Sequence, residues 1–226
     1  MILHSYNARR NIAESDEFKN SIKRGEYKNT IKEMFSNYKV VLMLSVLTLT
    51  GTQLFWGCFM VYLPSFISLK YVNPDLTAHI TAFILTGMIV GYIVGAVLAN
   101  KTNIKSVFSI GTAWSLCFIL PMYFAINSGS VVIVYAFCFM FALLQGVSGV
   151  LYLLLLTRRL PVRYRYTLLA TAFAFSAFLF IGIPPFIFSY FTRESSMYIP
   201  MLVLGIGYFI QLIAVQLFYK KTAIEV

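Results

Sequence analysis

From Lys39 onward the chain alternates between long apolar stretches and short polar clusters. The apolar runs extend from Val40 to Leu69, Leu76 to Asn100, Ser106 to Thr157, Tyr166 to Thr192 and Ser195 to Tyr219. Crossing a hydrocarbon core of roughly 30 Å takes about 20 helical residues, so four of these runs suffice for one crossing each. The run from Ser106 to Thr157 is long enough for two, and its midpoint carries Asn127-Ser128-Gly129-Ser130, a cluster that lets the chain reverse. The pattern therefore predicts an all-α polytopic membrane protein. Its six transmembrane helices cover about residues 40–68, 76–99, 106–126, 131–157, 166–192 and 196–219, between a basic lead (1–39) and a short tail (220–226). The runs are too long and too numerous for buried helices of a water-soluble core.

Polar and helix-breaking residues inside the spans are unevenly placed. Span one carries Ser45, Thr48, Thr50, Gly51, Thr52, Gln53, Trp56 and Gly57 at its centre, and Ser45, Thr48, Thr52 and Trp56 share one helix face. Such a face is costly against lipid, so it should look into the protein or a water-filled cavity. Pro64 removes a backbone donor near the outer end and should kink or end the helix. Span two places Gly87, Gly91 and Gly95 at four-residue intervals, a ridge on which another helix can approach backbone to backbone. Span four carries Gln145, Gly146, Ser148, Gly149 and Tyr152. Span five holds Gly182, Pro184 and Pro185, which should bend it in its outer third. Spans one and five are thus the interrupted ones, a feature that transporters use where a helix lines a cavity. In the lead, Tyr27, Ile31, Met34, Phe35 and Tyr38 recur at helical spacing beside Lys28, Lys32 and Lys39. Two readings stay open there: a short amphipathic helix on the inner membrane face, or a solvated linker.

Composition agrees: of 226 residues, 59% are hydrophobic and 12% charged, about half the charged fraction usual for a soluble domain. The net charge of +10 raises the question of nucleic-acid binding, and its placement answers it. If the spans alternate, sixteen of the eighteen Lys and Arg fall on one side, and only Lys70 and Arg193 fall on the other. That is the positive-inside pattern with both termini cytoplasmic. The basic excess reports topology and attraction to anionic lipid, and no nucleic-acid partner is expected. Cys58, Cys117 and Cys138 lie in three different spans without paired spacing, which fits apolar packing better than a disulfide or metal site. The lead has no apolar run that would form a cleavable signal, so span one is expected to direct insertion.

Catalytic chemistry is poorly provided for. No Asp, Glu, Lys or Arg falls within a membrane core, and the one His in the spans, His79, lies near an outer end. No metalloprotease, nucleophile-elbow or P-loop pattern occurs. An enzyme is not expected, and neither a cofactor nor a metal is called for. A proton-coupled carrier needs an intramembrane group that gains and loses a proton, and these spans supply none of the usual kind.

Three segments resemble a known family. Arg10-Asn11-Ile12-Ala13-Glu14-Ser15-Asp16-Glu17-Phe18 looks like the R-x-x-I-x-E-[ST]-P-x-F run in the central loop of metabolite–proton symporters of the major facilitator superfamily. Tyr62-Leu63-Pro64-Ser65-Phe66 is similar to the Y-L-P-x-Y stretch that ends that family's seventh helix. Leu160-Pro161-Val162-Arg163-Tyr164-Arg165-Tyr166-Thr167 resembles the F-P-x-x-x-R-Y-T signature before its eleventh helix, with Pro184 and Pro185 near that helix's proline. The resemblance covers nearly all of the chain from about Arg9, and the proline/betaine transporter group is the nearest type. There are departures. Asn100 and Asn103 stand where the superfamily loop has an acid and a glycine, Asp16 replaces a proline, and Leu168 replaces a frequent glycine.

The resemblance implies one half of the major facilitator fold, the C-terminal six helices, in a bacterial cytoplasmic (inner) membrane. It also implies symport of a small osmolyte or organic acid such as proline or betaine. The family's charged membrane residues lie in the other half, so the expected partners are the lipid bilayer, a small-molecule substrate, and a separate N-terminal half or a second copy. Candidate substrate contacts are Gln53, Trp56, Gln145 and Tyr152, helped by Thr52 and Ser148, with Trp56 able to face an ammonium group. For each of these residues, packing between helices or at a membrane interface is the alternative. Candidate structural or gating residues are Pro64, Gly87, Gly91, Gly95, Pro184, Pro185, Arg163 and Arg165. A second hypothesis is a non-transporting fragment or an interaction subunit of a full-length transporter. A channel subunit is a third, and nothing here resembles a selectivity filter.

Overall fold

The computed structural model describes residues 35–71, 75–160, 164–191 and 197–222, and within them every regular element is helical. Six helices are long and apolar enough to cross a membrane, which marks an integral membrane protein. Span two is Asp75–Lys101, span three Ile104–Asn127, span four Val131–Arg159 and span six Tyr198–Thr222. The turn expected at 127–130 joins spans three and four, and Gly129 takes a φ of +79° there, which a glycine adopts without strain. The central-loop-like segment, the proposed lead helix before Phe35, Arg163 and Arg193 lie outside the described residues; residues 35–37 are helical and a bend at Tyr38 separates them from span one.

Span one is built from Lys39–Leu47, Thr50–Phe55, a π-helical segment Trp56–Tyr62, and Leu63–Lys70. Its first break has a local cause. The Ser45 hydroxyl donates to the Val41 carbonyl (2.8 Å) and the Thr48 hydroxyl to the Ser45 carbonyl (2.7 Å), and such back-bonding competes with the helix ladder. Its second irregularity is where Pro64 acts, but the helix does not end at that residue. The missing donor of Pro64 and the clash of its ring with the preceding turn are absorbed upstream by the widened Trp56–Tyr62 segment. Span five repeats the device: Arg165–Ala177, a π segment Phe178–Gly182 before Pro184 and Pro185, then Ile183–Phe191.

Span four packs along span two and beside span three. Span six lies on spans one and three, and span five rests on span one. Spans one and two meet, as do four and five, one and four, two and three, and five and six. Moving every one of these pairs three spans along the chain returns the same set. The bundle is therefore two three-span units with equivalent packing, and an odd number of spans inverts one unit relative to the other. Close contacts echo the relation. A Cβ on Gly146 of span four would strike the Met88 carbonyl and Gly91 of span two, and one on Gly57 of span one would lie 2.9 Å from the Phe180 carbonyl of span five. The separation from 57 to 146 equals that from 91 to 180.

The two ends differ. At one end Lys105 and Arg159 sit over the Tyr219 ring at 5.0 and 4.4 Å, joining the start of span three to the ends of spans four and six. The rings of Tyr38 and Tyr164, before spans one and five, are 4.9 Å apart at the same end. At the opposite end Lys70 Nζ donates to the Ile126 carbonyl (2.9 Å) and Asn127 Oδ1 (3.0 Å), closing the C-terminus of span three. Replacing Lys70 by Met is expected to remove roughly 1 kcal/mol of local stability. Hydrogen exchange at the Asn127–Ser130 amides, faster in the variant, checks this.

Candidate functional site

The polar face of span one turns into the bundle: Ser45 and Thr48 are fully buried, and Thr52 and Gln53 nearly so. Restarting the helix at Thr50 leaves first-turn N–H groups without carbonyl partners, and Leu49 at the cap position has no side-chain acceptor. Gln211 of span six supplies one. Its Oε1 accepts from the Thr52 N–H at 2.9 Å and lies 3.4 Å from the Thr52 hydroxyl, while its Nε2 donates to Thr112 Oγ1 of span three at 3.3 Å. Gln53 Nε2 donates to Ser176 Oγ of span five at 3.2 Å. On span four, Gln145 Nε2 donates to Ser115 Oγ of span three at 3.0 Å. Ser148 faces the same span, since a Cβ on Gly111 would lie 3.1 Å from its Oγ.

Thr52, Gln53, Gln145 and Ser148 are thus brought into the interior, between helices. Gln145 Oε1, Ser148 Oγ, Thr50 Oγ1 and Tyr208 OH are buried without a hydrogen-bond partner among the described residues. Trp56 and Tyr152 are only partly buried and pack on the edges of two different core clusters. The six candidates do not converge on one point. Gln211, Ser176, Thr112 and Ser115, which join these side chains to neighbouring spans, were not singled out from sequence, nor was the buried Tyr208. The available signal was Gln211 in the middle of span six, the deeper of its two glutamines.

The structural candidates have clearer places. Gly87, Gly91 and Gly95 all face span four, where Cβ atoms on Gly87 and Gly95 would lie 2.5 and 2.9 Å from the Phe139 and Val147 carbonyls. Arg165 Nε donates to the Leu160 carbonyl at 3.2 Å and ties the start of span five to the end of span four.

The two π segments meet beside an open cleft. Pro184 and Pro185 cannot donate to the Phe180 and Ile181 carbonyls one turn earlier. Both carbonyls are instead directed at Gly57, within 2.9 and 3.1 Å of where its Cβ would be. Only a glycine admits that approach. Next to this crossing, a cleft of about 780 Å³ runs between the halves of spans one and five that lie away from Tyr38 and Tyr164. Val61, Tyr62, Ser65 and Lys70 line one wall, and Gly182, Pro185, Phe186 and Ser189 the other. Its volume falls in the range of small-molecule sites, and its polar groups are two hydroxyls, a phenol and one cation. Among the described residues no three His, Cys, Asp or Glu gather as metal ligands.

Comparison with known proteins returned no match: no family model, no curated protein and no solved structure is similar to this chain.

Proposed function

We propose that the six spans form one half of a proton-coupled secondary transporter for small osmolytes or organic acids such as proline or betaine, of the major facilitator type. In this reading the basic end faces the cytoplasm of a bacterium. The observation that carries it is the pair of interrupted spans, one and five, whose π segments cross at Gly57 beside a cleft at membrane depth. Secondary transporters bind substrate where discontinuous helices meet at a repeat interface, and build each half from inverted three-span repeats. The equivalence of the two three-span units supports the same reading. In the conformation seen, Thr52, Gln53 and Gln145 hold spans together and Ser148 is buried between them, while Trp56 and Tyr152 keep part of their rings open. The other wall of the cavity, and the proton carrier, would come from a second six-span unit, on the same polypeptide or another.

The test is uptake of labelled proline and glycine betaine into vesicles. This chain alone is expected to give none above background. Joined or co-expressed with a six-span unit bearing membrane carboxylates, it is expected to give uptake that collapses with the proton gradient. In that assembly Trp56→Ala should weaken apparent substrate affinity about tenfold. Concentrative uptake by this chain alone would overturn the division of labour between the halves.

The lack of any acid in the central part of the spans also favours a second reading, a non-transporting subunit that modulates a full-length transporter. Its signature is altered uptake by that transporter on co-expression, with no dependence on Trp56.

A further inference from the structure

We infer that the groove between spans one and six at the basic end is a seat for one anionic phospholipid. The inference requires only that the chain spans a membrane and is independent of the transport reading. The groove has a volume of about 350 Å³ and is lined by Val40 and Leu44 of span one, and by Leu217, Lys220 and Lys221 of span six. Leu44 and Leu217 lie further into spans one and six, whereas Val40, Lys220 and Lys221 stand close to the ends of those helices. Val40 and Leu217 are each about half exposed, so the channel opens sideways to lipid.

An open, almost wholly apolar groove with two lysines along its lining matches an acyl chain below a negatively charged headgroup. A zwitterionic headgroup offers the same chain but returns less electrostatic attraction. At the same end Lys105 and Arg159 sit over the Tyr219 ring and do not line the groove. Lys220 and Lys221 are the charges that face it. The basic side is also the side on which a cytoplasmic leaflet carries its anionic lipid.

The full chain is purified in mild detergent with an equimolar mixture of phosphatidylglycerol and phosphatidylcholine of identical acyl chains, and retained lipids are counted by native mass spectrometry. Retention of one phosphatidylglycerol in preference to phosphatidylcholine is expected. The preference should fall about fivefold for each lysine removed in K220Q and K221Q, and the K220R/K221R variant should restore it. Leu217→Trp fills the channel without altering charge and should abolish the retained lipid while leaving the protein monodisperse. Equal retention of the two lipids by the unaltered chain overturns the inference. So does full preference in Leu217→Trp, which would assign the attraction to a diffuse charged surface rather than to the groove. Soluble glycerol phosphate should not displace the bound lipid, and displacement would show an anion site with no need of the acyl channel.

Discussion

Gly91→Val is expected to leave spans two and four unable to close on each other, at a cost of about 3 kcal/mol or more. A Cβ at this position would strike the Leu143 carbonyl and lie 2.9 Å from the Gly146 Cα. Both are backbone atoms, so no rotamer change relieves the collision and the helices themselves must part. Separation would also open the contacts that Gly87 and Gly95 make on the same face. Small residues are what permit dense packing between helices in lipid, where water supplies no drive to associate. The measurement is an SDS-titration unfolding curve alongside elution profile in mild detergent, with loss of the monodisperse folded species expected. Gly182→Ala is the control: its added Cβ meets nothing within 4 Å, and a change within about 0.5 kcal/mol is expected. Equal effects at the two glycines would mean that intrinsic helix propensity, not the close approach, governs the site.

Gln211→Leu should cost about 2 kcal/mol, the penalty of leaving a buried donor without a partner. The side chain accepts from the Thr52 N–H, which the break at Thr48 and Leu49 has deprived of a carbonyl. No water competes for that group in the bilayer interior. Gln53→Leu offers the comparison. Its partner Ser176 Oγ keeps its own donation to the Phe173 carbonyl at 2.9 Å, so only an acceptor is left idle and a loss of about 0.6 kcal/mol is expected. The order Gln211 well above Gln53 in the same unfolding titration checks the assignment. If the two variants lose stability equally, Gln211 is one more interhelical bond and not the cap of span one.

The candidate site was legible in part. The polar centre of span one announces itself because Ser, Thr and Gln are costly against lipid, and the prolines of spans one and five announce irregular backbone. Neither signal gives direction. Gln53 and Gln145 point at serines in spans five and three, and nothing along the chain pairs residue 53 with 176 or 145 with 115. Pro64 illustrates the same limit: a missing donor is a local fact, but whether the helix ends, kinks or widens into a π turn depends on what packs against it.

The sequence by itself determined the number of spans, their approximate ends, the turn at Gly129 and the concentration of positive charge on one side. Each follows from the cost of placing polar groups or charges in hydrocarbon, a cost paid residue by residue. The tertiary structure alone decided that the glycine ridge of span two meets span four, that Gln211 caps a helix far from it in the chain, and that the π segments cross at Gly57. Those are choices among partners. In a bilayer every apolar face is equally content against lipid, so the partner is chosen by shape and by the few polar groups that must be satisfied, which only the assembled bundle brings together.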